Sequence, residues 1–144
     1  MEYAITKLSV LSDFIDYLHD VDNDFAIPLS RKVVIPSFAE KLLTFGNVFV
    51  VRYNSRIAAC IGFYCNDFVG GVAHLPILST KEWARGKGFA RLLIKRMIEE
   101  CKSNNMSIIL CDSVNPHAIA LYKSLGFIEY KKEGEKAFLK LQIL

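Results

Sequence analysis

The chain has 144 residues, of which 52% are hydrophobic and 23% charged, with a mean hydropathy of +0.26; it is large and apolar enough for one packed core and too apolar to stay unfolded. Its longest apolar run, Ile57 to Cys65, is far shorter than the roughly 18 residues of a membrane span, and no apolar stretch follows a basic start, so neither a membrane anchor nor a secretory leader is expected and the expected compartment is the cytoplasm. The net charge of +3 is uneven: residues 1–67 carry six basic and eight acidic side chains, residues 68–144 twelve and seven, which points to an anionic partner for the C-terminal half. Bases interleaved with acids argue against a nucleic-acid stripe. The four cysteines (Cys60, Cys65, Cys101, Cys111) form no Cys-x-x-Cys pair, and with three histidines they make no zinc spacing, so neither a metal site nor a disulfide framework is expected.

No repeat, low-complexity tract or linker divides the chain, and one domain over 1–144 is expected. Glu2 to Ile5 reads as a short strand. Leu8, Leu11, Phe14, Ile15 and Leu18 follow helical spacing within Lys7 to Val21, with Asp13, Asp16 and Asp20 on another face. Asp22 to Pro36 is irregular, with Pro28 and Pro36 as breakers, and a short helix is expected from Ser37 to Thr44. The period then changes to two. Asn47 to Tyr53 and Arg56 to Cys65 read as strands joined at Asn54-Ser55, and Gly71 to Ser79 as a third. After Gly88 a helix runs to about Lys102, burying Leu92, Leu93, the stem of Arg96, Met97 and Cys101. Ser107 to Cys111 reads as a strand buried on both faces. Asn115 opens a helix that Gly126 closes, and Phe127 to Lys131 and Lys136 to Gln142 form a last strand pair. This order predicts a mixed α/β sheet with helices on its faces.

The chemically informative segment is Thr80 to Ala90, which contains Arg85-Gly86-Lys87-Gly88-Phe89-Ala90 between a strand and a helix. Glycines let the backbone turn and approach a ligand. The amides from Gly86 to Ala90 then converge at a helix N-terminus, where Arg85 and Lys87 add charge. That combination suits a phosphate or pyrophosphate. The spacing is neither that of a P-loop nor Gly-x-Gly-x-x-Gly.

Arg85-x-x-Gly88-x-Ala90 resembles the pyrophosphate loop of the GNAT acetyltransferase superfamily, Arg/Gln-x-x-Gly-x-Gly/Ala. Asn115-Pro-His-Ala118-Ile-Ala-Leu-Tyr122-Lys-Ser-Leu-Gly126-Phe127 resembles the second motif of that family, and the likeness spans residues 47–143. The resemblance implies a GNAT-like, mixed and mostly antiparallel sheet of about six or seven strands with helices on both faces. Its strands Gly71–Ser79 and Ser107–Cys111 would run parallel and splay apart near Leu78 to admit a pantetheine arm. It further implies acetyl-CoA as cosubstrate, with main-chain contacts from Leu78 and Thr80, pyrophosphate binding by Arg85 to Ala90, and a contact from Asn115. Asn115 with Pro116 behind it is also a good helix N-cap, and both roles are compatible.

In the same resemblance Tyr122 is the general acid toward the leaving thiolate. A free phenol (pKa ~10) protonates a thiolate (~8.5) uphill by about 2 kcal/mol, so a strong hydrogen bond to developing charge is at least as apt as full transfer. Packing on an amphipathic helix is the plainer role. Some family members place an imidazole where His74 stands, on the strand before the loop. With Val72, His74 and Pro76 on one side of that strand and Leu75 and Ile77 on the other, His74 is the candidate base; free imidazole titrates near ~6.5, which suits the task. Its alternative is a half-buried histidine bonded to a carbonyl. His117, at a helix start, is a weaker candidate.

For the acceptor, Asp112, Tyr64 and Phe25 are the candidate contacts, with Tyr17 and Phe68 as further aromatics. The acids of the first helix either attract a cation or form a solvated face. Asp112 either contacts acceptor or water or caps the next turn. The expected activity is direct acetyl transfer to the primary amine of a small molecule, by a monomer or homodimer, without metal, membrane or nucleic acid. The alternatives are acetylation of a protein amine, a non-catalytic CoA-binding module, and a cysteine-nucleophile transferase.

Overall fold

The structure, a computed structural model, describes residues 2–144. The first strand, β1 (Tyr3–Lys7), extends two residues past its expected end. Leu8, counted in the helical pattern, is still extended: its N–H donates to the Val48 carbonyl at 2.8 Å, and α1 begins only at Leu11 (Leu11–Val21). After two 3-10 turns, α2 (Ile35–Phe45) takes Pro36 into its first turn, where the missing N–H costs nothing, and not as a breaker.

β2 (Asn47–Tyr53) and β3 (Arg56–Tyr64) form the expected hairpin. Its two turn residues, Asn54 and Ser55, both adopt positive φ (51° and 67°), the mirror-image turn that matches strand twist. β4 (Val72–Thr80) follows, then α3 (Phe89–Ser103), β5 (Ile108–Ser113), α4 (Pro116–Ser124), β6 (Ile128–Glu133) and β7 (Lys136–Gln142). The seven strands make one sheet in the order β1-β2-β3-β4-β5-β7-β6, antiparallel except for the pair β4–β5.

Two apolar clusters sandwich this sheet. Phe14, Leu18, Ala39 and Leu42 of α1 and α2 pack on Val48, Val50, Cys60 and Ile77 of one face. Phe89, Leu93, Ile94 and Met97 of α3, with Tyr122 of α4, pack on Phe49, Ile61, Phe63, Ala73 and Ile109 of the other. β5 is not buried on both faces as expected: Ile109 and Cys111 are buried toward α3 and α4, while Ile108 and Leu110 are only half-buried.

β4 departs from simple alternation. Gly62 pairs with Ile77 and Tyr64 with His74, so two steps along β3 oppose three along β4, which therefore carries one extra residue at Leu75-Pro76. Pro76 has no N–H to give a ladder, which fits a bulge. Leu75 consequently packs with the α3 cluster and Ile77 with the α1–α2 cluster, so the expectation that these two share a face is wrong. The parallel pairing of β4 with β5 ends at His74 and Leu110, so the strands part at Leu75, earlier than the Leu78 expected.

Candidate active site

Gly86 and Gly88 have φ of 80° and 81°, a region that glycine enters without strain, and a Cβ built on either would meet nothing within 4 Å. Space in front of both is open. Gly88 precedes α3 without providing a side-chain cap, and no acidic residue occupies the first turn, so the leading N–H groups of the helix have no side-chain cap among the described residues. A cavity of about 170 Å³ opens there, lined by Thr80, Arg85, Gly86, Gly88, Ala90 and Arg91 among others. Lys87 is turned elsewhere, its Nζ 5.7 Å from the Tyr53 ring centroid. Phe89 is buried as an anchor of the helix, and Leu78 is half-buried against the α3 cluster.

Arg91 is the residue that sequence reading missed. Its guanidinium donates to Ser124 Oγ at 3.0 Å, linking the start of α3 to the end of α4 at the rim of the cavity. The signal was present: a cation in the first turn of a helix opposes the helix dipole, and a bound anion offsets that.

Tyr122 stands on α4, 4% exposed, its ring 5.4 Å from that of Phe127. Burial, then the neighbouring Cys111 and Asp112, push its phenol well above the ordinary tyrosine range. Both neighbours belong to the end of β5 that has already parted from β4. No side-chain hydrogen bond engages the Tyr122 hydroxyl among the described residues. A phenol so placed stays protonated and acts as a hydrogen-bond donor.

His74 is exposed on the other face of the sheet, opposite Tyr64 in register. The half-buried role expected as its alternative is therefore absent. Tyr64 and Phe25 are half-buried against the α1–α2 cluster, and burial raises the Tyr64 phenol. Phe68 lies apart, 72% exposed on the β3–β4 loop. Tyr17 is committed to the scaffold, its hydroxyl 2.8 Å from Ser79 Oγ.

Asp112 is exposed and pairs with Lys136 at 3.5 Å. It does not cap the next turn; Ser113 does, its Oγ accepting the Asn115 N–H at 3.0 Å. Asn115 is an N-cap, its Oδ1 accepting from the His117 N–H at 2.9 Å, and His117 is exposed. The four cysteines are buried and unpaired with one another; burial pushes Cys111 up to about 12 and Cys60 further, which keeps both as thiols. Among the described residues, no group of three metal-binding side chains converges, and no helix is long and apolar enough to cross a membrane.

Residues 14–127 match the model of the acetyltransferase (GNAT) family. The chain belongs to that family. An uncharacterised N-acetyltransferase from Dictyostelium discoideum is 30% identical over 80 residues, half of this chain, which spans only 37% of that relative's length. The ribosomal-protein-S18-alanine N-acetyltransferase of Escherichia coli superposes with a TM-score of 0.80 at 21% identity, over 99% of this chain and 94% of the other. A GNAT acetyltransferase from Staphylococcus aureus Mu50 gives 0.81 at 18% identity, over 99% and 100%. A spermidine N-acetyltransferase from Vibrio cholerae gives 0.75 at 19%, over 98% and 94%. At these identities the likeness is one of fold. The family is one of acyltransferases that normally take acetyl-CoA as cosubstrate.

Proposed function

We propose that residues 1–144 form a single N-acetyltransferase domain that carries acetyl from acetyl-CoA directly to the primary amine of a small molecule. The observation that carries this reading is the uncapped, glycine-bent start of α3 beside Arg85, set at the C-terminal end of a β4 that has parted from β5. Such a start fits a pyrophosphate, and half of the backbone groups of β4 beyond His74 face a gap in which a pantetheine arm can bond to Leu78 and Thr80. Asn115, besides capping α4, keeps its amide NH₂ for the coenzyme.

The amine attacks the thioester carbonyl from the α1–α2 face, where His74 takes its proton and Tyr64 and Phe25 bound the acceptor. Tyr122, on the opposite face, donates to the sulfur as the carbon–sulfur bond breaks. Asp112, exposed beyond the gap, reaches the acceptor or a water only by releasing Lys136. Retention of a buried, protonated Tyr122 favours catalysis over a merely coenzyme-binding module.

The test is calorimetric titration with acetyl-CoA, followed by thiol release across a panel of small amines and peptide N-termini. Saturable binding with amine-dependent thiol release is the expected result. Binding without turnover on any amine would leave the non-catalytic module, and no binding would remove both.

A further inference from the structure

A second cavity, of about 420 Å³, lies between α1 and the β2–β3 hairpin. The size falls in the range of small-ligand sites. Asp13, Asp16 and Asp20, at i, i+3 and i+7 on α1, supply one wall; Arg52 and Arg56 of the hairpin and Lys81 after β4 supply the others. A solvated helix face would account for the acids alone. It does not account for three cations drawn to the same cavity.

Among the described residues one ion pair crosses the space, between Lys81 Nζ and Asp20 Oδ2 at 3.2 Å. Asp13, Asp16, Arg52 and Arg56 have no ion-pair partner within 4.0 Å among the described residues, so the cavity holds opposite charges apart. Arg56 is also restrained, its guanidinium carbon 4.0 Å from the Trp83 ring centroid. A guanidinium held over a ring can still meet a carboxylate through its N–H groups with two parallel hydrogen bonds.

We propose that this cavity binds a small zwitterion of amino-acid or short-peptide type, its ammonium toward Asp13 and Asp16 and its carboxylate toward Arg52 and Arg56. A ligand with one sign of charge would satisfy one wall and leave the other unmatched. The site is distinct from the acceptor position. It lies over β2 and β3, on the side of β4 away from the β4–β5 gap, and α1 is tied to β4 beside it by the Tyr17–Ser79 hydrogen bond. The inference does not rest on the proposed acetyl transfer.

The experiment is calorimetric titration of the full chain, at low salt and without coenzyme, with glycylglycine, ethylamine and acetate. Glycylglycine is expected to saturate with a Kd of about 1 mM or tighter, and the two single-charge probes to bind at least about tenfold more weakly. Arg56→Gln and Asp16→Asn should each weaken glycylglycine by about tenfold or more, while Lys95→Gln, at an exposed position of α3, should not. All three side chains are exposed, and circular dichroism verifies that the variants are folded. Acetyl-CoA added at saturation should leave glycylglycine bound. No saturation by about 20 mM, equal binding of ethylamine, indifference to Arg56→Gln, or displacement by acetyl-CoA would each overturn the proposal.

Discussion

His74 and Leu110 are the last residues at which β4 and β5 pair; beyond them the only parallel pair in the sheet is open. The opening follows from one local event. The extra residue at Leu75-Pro76 bends β4 and exchanges the faces of the residues after it, so that Ile77 joins the α1–α2 cluster while Leu75 stays with α3. His74 thus lies on one face of the sheet and Tyr122 against the other, with the gap between the strands beside them.

Gly88 tests the coenzyme loop. Its φ of 81° strains any β-branched residue, and a side chain there would project into the open space of the cradle. Gly88→Val should lower acetyl-CoA affinity by tenfold or more, with a stability loss of about 1–2 kcal/mol. Calorimetry measures the first and urea unfolding the second; unchanged affinity would remove the loop assignment.

Tyr122→Phe should reduce turnover by about 10²- to 10⁴-fold while acetyl-CoA affinity barely moves, because the hydrogen bond strengthens only as thiolate charge develops. Burial raises the phenol, so it stays protonated as pH increases through the assay range, and Tyr122 should contribute no basic inflection below about pH 10. A pH–rate profile to that limit checks the sign. Near-wild-type turnover in Tyr122→Phe, where chemistry limits the rate, would leave the residue as packing against Phe127.

How much of this was legible in sequence depends on how local each cause is. The Asn54-Ser55 hairpin, the Gly88 start of α3 and the Asn115 cap rest on neighbours in the chain, and they stand where pattern reading put them. The bulge was not legible, because strict alternation through Val72–Ile77 is the default and only a proline hinted otherwise. Leu8 misled for the opposite reason: it has helical spacing yet serves the sheet by bonding Val48, far away in sequence. Nothing in the sequence brings Ser79 to the Tyr17 hydroxyl, which on pattern alone is a possible acceptor contact; Arg52 and Arg56 opposite the α1 acids are likewise a product of the fold.

Tyr17→Phe should destabilise the protein by about 0.5–1.5 kcal/mol, since the ring packing is kept and only the hydroxyl's contacts with Ser79, to Oγ at 2.8 Å and to the carbonyl at 3.4 Å, are lost. Chemical denaturation monitored by fluorescence measures this as a lower midpoint at constant slope. An unchanged midpoint would mean that water replaces the bond without cost.

His74→Ala tests the base. The imidazole is exposed at the fork, on the face of Tyr64, and has no side-chain hydrogen bond to hold it in a structural role among the described residues. An amine attacks only after losing its proton, so a base within reach, directly or through one water, raises turnover on the basic side of its own titration. With a good acceptor, wild type should show turnover that rises along a basic limb as pH increases. His74→Ala should lose that limb and run about 10²-fold slower or more. Far-UV circular dichroism should not change, because the side chain is outside both apolar clusters. If profile and rate both survive the substitution, proton removal passes to water or to Asp112. The double variant His74→Ala with Asp112→Asn then separates those two, since only the carboxylate route is sensitive to it.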